Sequence, residues 1–231
     1  MINQKLFTSN FDDPVLYAPA NLKSDNPCSS LKIITAFTDC DRISTHMIHL
    51  SDGMKNKQLV KGLSVEILLG MTKYSLSKKK HEDICRILGF INESKDMPKV
   101  SCRYICKGAE VHSKMYIWSQ LNGCSKEIPR LAFCGSLNYT MNAFYKRRES
   151  VSVCDSLQAY KYYRELLPDT IDCFDPNVSQ QIKNVNNKKA DTYEEVDFSD
   201  DEYAVYDSMI PIDTLNVSLL VASGKDTGYG W

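Results

Sequence analysis

The chain has 231 residues, 43% of them hydrophobic, enough for one large domain with a real core or for one domain plus an appendage. No run approaches 18 apolar residues, which excludes a membrane-spanning helix, and no apolar stretch near the N-terminus suggests a secretory signal. The net charge of −1 hides an asymmetry: Asp191 to Asp207 carries eight acidic and no basic residues, and without them the chain stands at +7, a basic body suited to a polyanion.

In chain order, Leu31–Phe37 is short, apolar and β-branched and reads as a buried strand. Asp39 or Asp41 caps a helix over about 41–59, with Ile43, Met47, Ile48 and Leu50 inward and Gly62 ending it. Val65–Gly70 is a second strand. Ser77 caps a helix to about Asn92 with Ile84, Ile87 and Leu88 inward, and Lys99–Cys106 is a third strand. Val111–Trp118 and Arg130–Cys134 form two more, joined through an Asn122-Gly123 turn. A short helix over Leu137–Phe144, a strand over Glu149–Cys154 and a helix over Ser156–Leu167 follow, stopped by Pro168. The order implies an α/β fold: a mixed, largely parallel central β-sheet flanked by helices on both faces. A polar stretch, the acidic run and a strand at Leu215–Val221 suggest a domain at 1–170 and an extension at 171–231 that leads to a further domain.

Nine cysteines, an odd number without Cys-x-x-Cys, read as reduced thiols of a cytoplasmic protein, not as a disulfide framework or zinc site. The chemistry concentrates elsewhere. His112 and Lys114, two apart on an expected strand, face the same way. The imidazole can attack phosphorus or pass a proton, and the ammonium can hold a phosphate oxygen. Ser136 and Asn138 repeat that period after the next strand and offer neutral donors, with Gly135 allowing close backbone approach to a ligand and a helix start favouring anions. Glu149 opens the following strand, where it could orient the imidazole. Lys146, Arg147 and Arg148, beside that site in sequence, and Lys73, Lys78, Lys79 and Lys80 at a helix start could contact a nucleic-acid backbone. His46 and His49 read as surface or helix-face residues, and His81 as solvated.

His112-Ser113-Lys114, Gly135-Ser136-Leu137-Asn138 and Glu149 together resemble the phospholipase D superfamily, and its nuclease branch in particular. The motif Asp is replaced by Ser119, a departure that favours the nuclease branch over lipases. The resemblance implies a metal-independent endonuclease without cofactor, in which one histidine attacks phosphorus and a second protonates the leaving oxygen. With one motif copy per chain, it implies a homodimer whose two His112 share an active site on double-stranded DNA. It further implies a C-terminal recognition domain beyond the chain. A phospholipase or other phosphodiesterase of the same superfamily is an alternative, and a catalytically silent DNA-binding dimer another. The acidic stretch 191–202 could lie in the basic groove and restrain cleavage.

Overall fold

The computed structural model describes residues 6–72, 76–108, 110–121 and 126–178. Lys73, the Asn122-Gly123 turn, the acidic run and the strand expected at Leu215–Val221 lie outside them.

Among the described residues the chain builds β1 (Leu6–Phe7), β2 (Ser30–Thr35), α1 (Cys40–Lys55), β3 (Ser64–Leu69), α2 (Lys78–Glu93), β4 (Lys99–Ile105), β5 (Met115–Leu121), β6 (Glu127–Gly135), α3 (Met141–Tyr145), β7 (Val151–Cys154), α4 (Ser156–Leu166) and β8 (Thr170–Asp172). The eight strands form one sheet in the order β1-β7-β6-β5-β2-β3-β4-β8. The sheet is mixed, as expected, but parallel pairing is confined to β2 with β3 and β3 with β4. The remaining neighbours pair antiparallel. The physical reason is connectivity: parallel neighbours need a crossover, supplied by α1 and α2, whereas β5 to β7 follow one another without a long helix.

Alternation along the strands sends side chains to two cores. Leu31 and Ile33 of β2, Val65 and Ile67 of β3 and Tyr116 and Trp118 of β5 pack with α1 and α2. Ile34, Leu68, Ile117 and Ala132 point the other way, to Ala159 and Tyr163 of α4. Helices thus cover both faces, and β2, buried at every position, lies at the centre. Ile43, Met47 and Leu50 of α1 are fully buried, each worth about 1.5–3 kcal/mol relative to exposure. Ile48, expected inward, is 47% exposed.

The helix starts follow the sequence. Asp39 caps α1 by accepting from the Arg42 amide at 2.6 Å, and Ser77 caps α2 through the Lys80 amide at 3.2 Å. α1 ends at Lys55, before the expected limit, and Lys57 turns the chain with φ 56°. Gly62, at φ 72°, belongs to the later turn into β3. β6 starts earlier than expected: a register shift between Trp118 and Ser119 leaves Arg130 unpaired, and beyond it Pro129, which has no amide for the ladder, stands opposite Ser119. β8 carries the sheet beyond residue 170, pairing with β4 at Arg103–Ile105.

Candidate active site

The register brings the motif residues to one edge of the sheet. Thr35 at the end of β2 pairs with Leu69, Met115 at the start of β5 pairs with Ile34 and Cys134, and Gly135 at the end of β6 pairs with Val151. His112 and Lys114 therefore enter β5 at the edge where Ser136 and Asn138 leave β6 and Glu149 enters β7. This is the side beyond the carboxyl ends of the parallel strands, where open α/β sheets bind ligands.

His112 and Lys114 precede β5 and are not part of it, yet their side chains meet. Lys114 Nζ lies 2.9 and 3.0 Å from the two ring nitrogens of His112 and donates to the His112 carbonyl at 2.8 Å. Lys114 is buried and His112 exposed. Partial desolvation, then the neighbouring ammonium, lower the His112 pKa from its ordinary 6.5, so the neutral, nucleophilic ring is favoured. Burial also lowers Lys114, against the pull of Glu149. Burial raises Glu149, against a hydrogen bond from Ser136 and the charges of Arg147 and Lys114. Among the described residues Glu149 makes no hydrogen bond to His112; within one chain it belongs with Ser136 and Lys114.

Ser136 Oγ accepts from the Ser150 amide at 3.0 Å, and the Ser136 amide donates to the Ser150 carbonyl at 3.0 Å. Packing alone requires glycine at Gly135: a Cβ would stand 1.9 Å from the Ser150 carbonyl oxygen. Thr35 Oγ1 donates its proton to the Phe37 carbonyl at 2.7 Å and accepts from the Tyr139 amide at 3.0 Å, with Asn138 Oδ1 3.5 Å away. The helix start lies further on than expected: α3 begins at Met141, and two of its first amides are taken by Asp39 (Met141 N to Oδ2, 2.8 Å) and Thr140 (Ala143 N to Oγ1, 3.2 Å). Among the described residues no group of three His, Cys, Asp or Glu side chains is placed to hold a metal ion.

Residues 10–184 match the family described as the NgoFVII restriction endonuclease N-terminal PLD domain. The chain belongs to this family. It is therefore an enzyme of the phospholipase D-like nuclease and phosphodiesterase superfamily, which hydrolyses phosphodiester bonds. Similar solved structures include NucT from Helicobacter pylori (16% identity over 74% of this chain and 98% of that one, TM-score 0.44) and Nuc, a phospholipase D family member from Salmonella typhimurium (16%, 74% and 97%, 0.45). Polyphosphate kinase from Porphyromonas gingivalis is a third (15%, 79% and 30%, 0.48). No curated protein matches the chain.

In this PLD domain the position of the motif Asp, Ser119, lies far from the catalytic edge. It is fully buried opposite Ser30, at the other end of β2 from Thr35. The basic residues divide. Lys146 and Arg148 are exposed between α3 and β7, and Arg147 is half-buried beside Glu149. Lys78 and Lys79 are exposed, Lys78 3.7 Å from Glu82, whereas Lys80 turns inward towards Asp39 and Cys40.

His46 is not a surface residue. It is fully buried, and its Nδ1 lies 2.6 Å from the Tyr139 hydroxyl, which fixes the segment after Asn138. Exposed His49 contacts the Tyr17 hydroxyl at 3.1 Å, and His81, expected in solvent, is half-buried against Tyr104 at 3.1 Å. The motif reading also missed Arg42, which is fully buried, paired with Asp12 at 2.7 Å and stacked 4.2 Å over the Phe144 ring. Phe37 meets the His112 ring edge-on at 6.3 Å. A charged first turn in an otherwise apolar helix face was the only sequence signal for Arg42.

Proposed function

We propose that the protein is a metal-independent DNA endonuclease in which His112 forms a phosphohistidine and two copies of the chain share one active site. The observation that carries this reading is Lys114 Nζ seated against a His112 ring biased towards its neutral form, on the edge that also gathers Ser136, Asn138 and Glu149.

A neutral His112 nitrogen attacks phosphorus; the P–N bond forms as the P–O bond to the leaving nucleoside breaks. The protonated His112 of the second copy gives its proton to that oxygen. Now neutral, it takes a proton from water as the water oxygen attacks phosphorus and the P–N bond breaks. The Lys114 ammonium and the Asn138 amide of each copy stabilise the charge on the non-bridging oxygens. Ser136 fixes the Glu149 carboxylate, which holds Lys114 charged. Lys146, Arg147 and Arg148, with Lys78 and Lys79, follow the backbone of double-stranded DNA; Lys80, turned inward, supports the fold. Selection of a DNA sequence belongs to a further, C-terminal recognition domain.

Incubation with supercoiled plasmid in excess EDTA tests the proposal. The wild type is expected to nick or linearise it, and His112→Ala to lose at least about 1,000-fold in rate. Complete loss of wild-type cleavage in EDTA, with rescue by magnesium, would remove the mechanism.

A further inference from the structure

Residues 110–114 carry the motif but run ahead of β5 without strand pairing. They are held at both ends. Val111 is buried in the cluster under α4, and its carbonyl lies so close to Gly70 that a Cβ there would come within 2.0 Å. At the other end the Lys114 carbonyl accepts from the Gly135 amide at 3.3 Å. The middle has less support, because the exposed His112 ring meets only Lys114 and Phe37 among the described residues. Ser113 supplies the tie: its Oγ lies 3.2 Å from the Tyr162 hydroxyl of α4.

α4 is a firm anchor. Tyr160 donates to Glu127 at 2.9 Å and Tyr163 to Glu66 at 2.7 Å. Both carboxylates gather round Lys32, whose Nζ lies 2.6 Å from Glu127 and 3.6 Å from Glu66. Two tyrosine hydroxyls thus moor the helix to the sheet, and the third reaches the motif.

We propose that Tyr162 is a positioning residue for His112, acting through Ser113. The hydroxyl pair fixes the backbone between Val111 and Lys114 and so sets the direction in which the imidazole leaves it. Attack on phosphorus depends on that direction, because a small misplacement of a reacting group is felt in rate before it is felt in binding. The inference rests on the proposed function for its kinetic consequence, but not for the geometry itself.

The test compares Tyr162→Phe, Ser113→Ala and the double variant of the full chain on supercoiled plasmid. Each single change is expected to lower kcat about fivefold, as loss of one hydrogen bond would, with KM unchanged and the thermal midpoint lowered by no more than about 4 °C. The double variant should be no slower than either single one, since both remove the same contact. Wild-type kcat in either single variant, or losses multiplying to about 25-fold, overturns the proposal. A second readout needs no activity: in NMR spectra of the histidine rings, Tyr162→Phe should move the His112 signal and leave His46, His49 and His81 in place. An unmoved His112 signal overturns the proposal. If His112→Ala, assayed alongside, still cleaves plasmid, the proposed function falls while the ring signal still decides the role of Tyr162.

Discussion

At the scale of single residues, the candidate site places a cation, the Lys114 ammonium, against His112, the proposed nucleophile. Desolvation disfavours imidazolium at His112, and the Lys114 ammonium adds repulsion. Protonation of His112 is thus deferred to lower pH than for an ordinary histidine. Replacing Lys114 with Met removes the repulsion and should raise the His112 pKa towards 6.5, read from NMR titration of its ring; a further fall would contradict the electrostatic account. The adjacency of His112 and Lys114 was legible from a spacing of two, because extended chain alternates its side chains whether or not it is paired. The direction of Glu149 was not legible. It depends on Ser136 and Lys114, brought near only by the pairing of β5, β6 and β7.

At the scale of elements, the strands β2, β3 and β4 and the helices α1 and α2 announced themselves through continuous apolar runs, a helical apolar stripe and the caps Asp39 and Ser77. β1 and β8 did not, since two- and three-residue edge strands have no pattern of their own and exist through β7 and β4. His46 looked like a surface helix residue because its partner, Tyr139, is 93 positions away. Gly135 was legible as a glycine position, but its crowding against the Ser150 carbonyl, just ahead of β7, was not. Gly135→Ala puts a methyl group on the Ser150 carbonyl, and backbone cannot yield as a side-chain tip can. It should cost about 1–3 kcal/mol in denaturant unfolding. The same change should lower activity by displacing Ser136. An alanine variant as stable as the wild type would show that β6 and β7 do not pack this closely.

At the scale of the whole molecule, one sheet edge collects residues from three strand ends, and among the described residues no helix is long and apolar enough to cross a membrane. Each chain brings one motif histidine to that edge, while the proposed chemistry needs a nucleophile and a proton donor. His46 is locked to Tyr139 in the core, His49 on α1 meets the Tyr17 hydroxyl and His81 lies on α2 against Tyr104, so none of the three contacts His112 or Lys114 among the described residues. The account therefore depends on a second copy supplying its own His112. The direct measurement is EDTA-resistant plasmid cleavage by wild-type chains co-refolded with His112→Ala chains in graded proportions at constant total protein. A shared site in which both histidines are required predicts activity falling as the square of the wild-type fraction. A linear fall would mean that each chain cleaves alone and would contradict the shared site.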